Sequence, residues 1–223
     1  MKKLFFSAMA IFIAGTTMAT GYKQSIGLSV GSLNGITYKY FFTDKLALQN
    51  DLVVGFQATT ATVAYSFKAE GESAVKEREH ADHTTISTVE FVYNPNVLYH
   101  LSLGSTGLDL VVGGGLSIGF GKPYQCDYRE DGKHYVSSGK EIWSYDEETG
   151  AVKMGGKFGI NAFAGMEYNL TNAPVTFAFD FRPGYGVLFK TQHNDSDEEI
   201  KWKAKTSLNT FDWRLSVSMR YCF

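Results

Sequence analysis

From Phe211 to the end of the chain every second residue is apolar: Phe211, Trp213, Leu215, Val217, Met219, Tyr221 and Phe223 alternate with Asp212, Arg214, Ser216, Ser218, Arg220 and Cys222. Alternate side chains of a strand point to opposite faces, so this segment has one wholly apolar face and one polar, charged face. The segment before it repeats the pattern. Val175, Phe177, Phe179, Phe181, Tyr185, Val187 and Phe189 share one face, while Thr176, Asp180 and Arg182 share the other with the small Ala178, Gly184 and Gly186. Carried along the chain, the same periodicity predicts eight strands, at 23–31, 35–43, 46–67, 84–101, 108–121, 156–169, 175–189 and 208–223. Tight turns fall at Thr43-Asp44-Lys45, Gly104-Ser105-Thr106-Gly107 and Thr171-Asn172-Ala173-Pro174, all rich in turn-forming residues. The remaining connections are Ser32-Leu33-Asn34 and three long polar loops at 68–83, 122–155 and 190–207.

Length allows one domain of this kind, since 223 residues with 44% apolar and 20% charged side chains can fold around a single core. Aromatic residues, with 17 Phe and 13 Tyr, favour strands and membrane interfaces. The first 19 residues stand apart: Lys2 and Lys3, the apolar run Leu4 to Gly15, and Thr17-Met18-Ala19 form a secretory signal of bacterial appearance, leaving residues 20–223 as the folded domain. No Cys follows that cleavage site, which argues against a lipoprotein anchor. Without the two signal lysines, 19 Lys and Arg face 23 Asp and Glu, a net charge of −4 that gives no reason to expect a nucleic-acid partner. Beyond residue 19 nothing approaches the 18 or so consecutive apolar residues of a membrane helix, so the mature chain is soluble or spans as a barrel.

A soluble eight-stranded barrel would place the apolar set inside, a membrane barrel outside. Size decides between them. The apolar set holds Tyr38, Tyr40, Phe42, Phe91, Tyr93, Tyr99, Phe120, Phe158, Tyr168, Phe177, Phe179 and Phe181, more rings than an eight-stranded interior accommodates. The opposite set combines Gly113, Gly115, Ser117, Gly119, Gly159 and Gly165 with charges of both signs, which suits a narrow filled lumen. The expected fold is therefore all-β: a transmembrane, eight-stranded, antiparallel up-and-down barrel with long extracellular loops and both termini in the periplasm.

By strand number, loop asymmetry and its aromatic C-terminus, the mature chain resembles the small outer-membrane barrels of the OmpA/OmpX/opacity-protein group. Gly35-Ile36-Thr37-Tyr38-Lys39-Tyr40-Phe41-Phe42 and Asp180-Phe181-Arg182-Pro183-Gly184-Tyr185 look like strands two and seven of such barrels in Bacteroidetes. The resemblance implies a Gram-negative outer-membrane location, contact with outer-membrane lipid, and recognition of Tyr221 and Phe223 by the barrel assembly machinery. It also implies a structural, adhesive or immune-evasion role rather than one fixed activity.

The inward phase carries Lys39, Asp51, Glu90, Lys157, Glu167, Asp180, Arg182, Asp212, Arg214 and Arg220, five acids and five bases. They read as a salt-bridged plug in preference to an ion path, because eight strands leave room only for side chains. His100-Leu101-Ser102 resembles the catalytic pair of an outer-membrane lipid A deacylase, with Glu90 as an orienting acid. Against it, the pair adjoins a periplasmic turn whereas lipid A occupies the outer leaflet, both side chains share the inward phase, and the family's following Asn is here Leu103. Glu77-Arg78-Glu79-His80-Ala81-Asp82-His83 sets two imidazoles among acids but shows no closed ligand set, and His134 and His193 also fall in outer loops; neither a metal nor a cofactor is expected. Tyr124, Tyr128, Tyr135, Trp143, Tyr145 and Trp202 offer aromatic contact surface in the outer loops, suited to an extracellular protein or glycan. Cys126 falls in an outer loop and Cys222 at the periplasmic end, too far apart to pair. The expectation is a non-catalytic barrel acting through its extracellular loops, with a small porin-like pore as the first alternative and a lipid A-modifying enzyme as the second.

Overall fold

The computed structural model describes residues 22–69, 76–104, 107–130, 133–138, 154–193 and 202–223, with side chains described for 22–56, 86–104, 107–124, 154–190 and 208–223. Among the described residues nine strands follow one another: β1 (Gln24–Gly31), β2 (Leu33–Phe41), β3 (Leu46–Ala69), β4 (Lys76–Ser102), β5 (Leu108–Glu130), β6 (Lys133–Ser138), β7 (Gly155–Asn169), β8 (Val175–His193) and β9 (Trp202–Cys222). Eight of them form a closed antiparallel ring, β1-β2-β3-β4-β5-β7-β8-β9, in which β9 pairs back onto β1. Closure leaves no unpaired sheet edge in the wall.

The wall is inside out relative to a soluble protein. Trp213 is 62% exposed and its neighbour Arg214 only 2%, and the same alternation runs through β9 from Phe211 to Cys222. Phe91, Phe120, Phe158, Phe177 and Phe179 all face outward, while Lys39, Asp51, Glu90 and Arg220 are fully enclosed. An aqueous exterior would penalise so continuous an apolar belt, whereas hydrocarbon requires it. Aromatic residues run the whole height of the belt. Tyr40, Phe42, Tyr99, Tyr168 and Tyr221 lie toward the end that holds the termini, with Phe56, Phe120, Phe189 and Trp213 toward the distal end. Among the described residues no helix is long and apolar enough to cross a membrane; here the strands cross it.

Turns at the terminal end are short. Gly107, at φ +73°, stands where an added Cβ would lie 2.6 Å from Asn169 O, so a side chain fits neither the backbone nor the space. At the other end of β1, Gly31 takes φ +146° and the Asn34 side chain closes the β1–β2 turn by accepting from Gly31 N (3.1 Å) and donating to Gly31 O (3.0 Å).

The distal connections differ from the sequence expectation. Within the stretches expected as long loops, 68–83, 122–155 and 190–207, β3, β4, β5, β8 and β9 continue well past the apolar belt, and β6 adds a hairpin partner from Gln125↔Ser138 to Glu130↔Lys133. Above the short β1–β2 hairpin, β3 pairs directly with β9 from Thr60↔Phe211 to Ala69↔Trp202. The physical reason is that the apolar alternation ends where lipid ends, while backbone hydrogen bonding carries the ladder onward. The segments 70–75, 131–132, 139–153 and 194–201, and the signal-peptide reading of 1–19, lie outside the described residues.

The two cysteines sit at opposite ends of the wall. Cys126 is in register with Ser137 beyond the belt, and Cys222, a free thiol 3.2 Å from Thr176 Oγ1, is in register with Ser25 at the terminal end. A bridge needs Cα atoms within about 7 Å. Alkylation of the denatured, unreduced chain is therefore expected to label both thiols, with an unlabelled intramolecular disulfide as the contrary result.

Candidate functional site: the lumen

The inward side chains meet at three levels. Nearest the termini, Lys39 on β2 and Arg220 on β9 converge on Glu167 of β7, with Arg220 Nη2 2.6 Å from Glu167 Oε1 and Lys39 in direct contact with the same oxygen. His100 joins this group: its Nε2 lies 3.4 Å from Lys39 Nζ and its Nδ1 3.6 Å from Asp109 Oδ2. Phe41 closes this end, its ring 4.8 Å from that of His100. Gln49 links upward, accepting from Arg220 Nη1 at 3.4 Å and donating to both oxygens of Asp51 at 3.1 Å.

At mid-height Arg182 donates to Asp51 Oδ2 through Nη1 (2.6 Å) and to Asp180 Oδ1 through Nε (2.7 Å). Ser216 Oγ donates to the same Asp180 oxygen at 2.6 Å. The Arg182 guanidinium also lies 4.7 Å from the centroid of the Phe163 ring, a cation over an aromatic face. Strand alternation alone brings Asp180 and Arg182 to the same face of β8; closure of the ring brings Asp51 across to them.

Toward the distal end Lys157 contacts Glu90 directly and donates to Asp212 Oδ2 at 3.2 Å, while Arg214 Nη2 donates to Asp212 Oδ2 at 2.5 Å. Arg214 Nη1 is 3.2 Å from Ser117 Oγ, which in turn donates to Asn94 Oδ1 at 2.6 Å. Asn161 donates to Asn96 Oδ1 at 2.7 Å. Apolar side chains fill the spaces between the charged levels: Leu98, Val111 and Phe163 form one cluster and Leu33, Val53 and Val92 another. Farther out, Ile86, Leu188 and Leu208 are fully buried, the last two in register across β8 and β9.

All ten charged residues singled out in the sequence are buried in this interior and engaged in the pairs above. Sequence reasoning missed Gln49, Asn94, Asn96 and Asn161 on the inward phase, of which Gln49 and Asn94 join the ion-paired groups and Asn161 bonds Asn96; Ser117 and Ser216, already placed on the polar phase, bond Arg214 and Asp180. The signal was available, since Glu90, Asn94, Asn96 and His100 stand at even spacing on one strand. It also missed the inward Leu33, Val92, Leu98 and Phe163, which break the polar phase.

The His100–Ser102 pair does not assemble as a catalytic pair. His100 is committed to Lys39 and Asp109, Ser102 is exposed at the rim where the expectation had both facing inward, and Glu90 belongs to the distal level with Lys157. Among the loop contact candidates, Tyr124 is exposed on the outward face of β5. Tyr128 is in register with Tyr135, and Trp202 begins β9; their side chains, like the whole of Trp143 and Tyr145, lie outside the described residues, as do the side chains of His80, His83, His134 and His193. At the C-terminus Phe223 and Gln24 exchange backbone hydrogen bonds (2.9 and 3.1 Å), and the Tyr221 and Phe223 rings stack on the outer wall at 6.4 Å.

Closed ring, apolar exterior and charge-filled interior together define a small transmembrane β-barrel of eight antiparallel strands. No protein-family model and no curated protein matches the chain. Among solved structures it is similar to the N-terminal β-barrel domain of Pseudomonas aeruginosa OprF, with 15% identity over 86% of this chain and 99% of that one and a TM-score of 0.34. It is also similar to Neisserial surface protein A, with 12% identity over 90% and 93% of the two chains and a TM-score of 0.32. A third is Ail, the attachment invasion locus protein of Yersinia pestis, at 12% identity, 89% and 96% coverage and a TM-score of 0.30. One structure of Ail is a complex with the heparin analogue sucrose octasulfate. The class itself rests on this chain's own geometry.

Proposed function

We propose that the chain is a non-catalytic barrel of the bacterial outer membrane, exported by residues 1–19, whose filled lumen makes it a rigid stalk for the strand extensions and connections at its distal, extracellular end. The observation that carries this reading is the contrast between the two halves of the molecule. The interior is committed to internal pairing, with no side chain of the ion-pair network turned to the outer wall, while β3–β6, β8 and β9 project past the belt. Structural anchoring, adhesion or capture of an extracellular protein or glycan are the roles such a projection serves, with Tyr124, Tyr128, Trp143 and Trp202 as contact residues. A diffusion pore is disfavoured by the three ion-paired levels and the apolar layers between them. Lipid A modification is disfavoured by the place of His100 at the terminal end.

Phe223 has a separate role in this proposal, as part of a signal to the assembly machinery together with Tyr221. The experiment inserts an epitope between His193 and Trp202 and follows antibody binding to intact cells alongside membrane fractionation. Labelling at the surface and recovery with the outer membrane are expected, and deletion of Phe223 should lower both while synthesis continues. Recovery in the soluble periplasmic fraction would contradict the location, and an unchanged yield without Phe223 would contradict the signal.

A further inference from the structure

We propose that the outer wall carries a seat for one phosphate-bearing lipid of the outer leaflet, an acyl chain lying in a notch across β4, β5, β7 and β8 and the phosphate held at Lys122. This inference rests on the outer-membrane location proposed above. Strand register sets Phe91, Phe120, Gly156 and Phe189 side by side in one row on the outward face. Three aromatic rings and one glycine cannot make a continuous surface. The gap at Gly156 is roofed only by the edge of the Phe189 ring, whose Cζ would lie 2.8 Å from a Cβ placed there. The result is an outward-opening groove of about 510 Å³, floored by the backbone of Gly119, Gly156 and Lys157 and walled by apolar side chains.

A groove of this size is ample for a ligand, and its lining offers almost nothing polar to bind one. It matches an alkyl chain, the chemistry that surrounds it in hydrocarbon. Lys157 does not alter this, because its ammonium turns to the lumen and to Glu90 and Asp212. What selects the headgroup stands just above. Lys122 follows Phe120 by two residues on β5, in the same outward phase and on the distal side, and Tyr124 follows it. Lysine stems lie along apolar surface while the ammonium seeks polar partners, and tyrosine behaves likewise. A cation at the upper lip of an apolar groove complements a phosphate joined to acyl chains, each part meeting its own chemistry.

The test uses the full folded barrel in mild detergent, incubated with diphosphoryl lipid A, with dephosphorylated lipid A or with diacylglycerol, and analysed by native mass spectrometry. Heat-dependent migration in SDS is recorded on every sample, so that loss of the barrel is told apart from loss of the lipid. Gly156→Leu fills the notch against the movable end of a ring, and Lys122→Ala removes the cation while leaving the lumen network intact. One diphosphoryl lipid A per unmutated barrel is expected, retained roughly tenfold less by Gly156→Leu. Lys122→Ala should lose the preference for the phosphorylated form. Heat-modifiable variants that retain lipid as the unmutated protein does would overturn the seat, as would equal retention of dephosphorylated lipid A or diacylglycerol by the unmutated barrel.

Discussion

Replacing Arg182 with methionine is expected to destabilise the folded barrel by roughly 3–5 kcal/mol. The reason is what remains after the substitution. Asp51 and Asp180, each 1% exposed, lose the guanidinium that donates to both, and neither can turn to water in a lumen closed above and below by side chains. Methionine keeps an apolar stem against Phe163, so the loss isolates the charge rather than the packing. Gln49 and Ser216 continue to donate to the two carboxylates, yet neutral donors replace only part of what a bidentate cation gives. Lys23, exposed at the terminal end, provides the comparison: its change to Gln should stay within about 0.5 kcal/mol. Urea-dependent unfolding in lipid vesicles measures both. Equal stabilities for the two variants would mean that the interior pairs contribute nothing to the fold.

Closure of the ring depends on β1 reaching β9, and Gly27→Val is expected to abolish it. A Cβ at Gly27 would stand 1.9 Å from Met219 O and 2.6 Å from Arg220 Cα, both backbone atoms of the strand across the seam. No rotamer change relieves a clash with backbone, so β1 and β9 would have to part. Gly186→Ala, also on an inward phase, meets its nearest atom at 3.2 Å and should be tolerated. On gels of unheated samples the first variant should lose the compact, SDS-resistant band and the second should keep it. A compact band for Gly27→Val would show that the seam is looser than the register from Ser25↔Cys222 to Gly31↔Ser216 implies.

How much of this was legible in the sequence varies along the chain. The wall was readable wherever lipid lies outside and charge inside, because each environment writes its own phase: 210–223 alternates without a break, and the size and chemistry of the two sets of side chains oriented it. Beyond the belt polar residues occupy both phases of the sequence and the pattern stops. Lys76 to His83, charged in both phases, read as loop although its backbone pairs with β3 as far as Phe67↔Lys76. β6 was invisible for the same reason. The membership of the charge network was legible from phase, but the pairing was not. Arg182 meets Asp51 across 131 residues of sequence, a relation fixed by closure and by the stagger of eight strands rather than by spacing. His100 shows the opposite failure: a local pattern suggested catalysis, and the fold joins the imidazole instead to Lys39 and Asp109. The inward Leu33, Val92 and Phe163 left no trace in the alternation as charges do, since an apolar residue on the polar phase reads as noise.

We propose that ion pairs and apolar layers fill the lumen, leaving a stalk and not a channel. Eight strands enclose a cross-section that side chains can fill, and Lys39–Glu167, Arg182–Asp51 and Lys157–Glu90 occupy it at successive heights. Single-channel recording of the purified, unmutated, heat-modifiable protein in planar bilayers tests this most directly. The structure predicts a flat current trace at every applied voltage, and steady, reproducible conductance steps from that same preparation would contradict it.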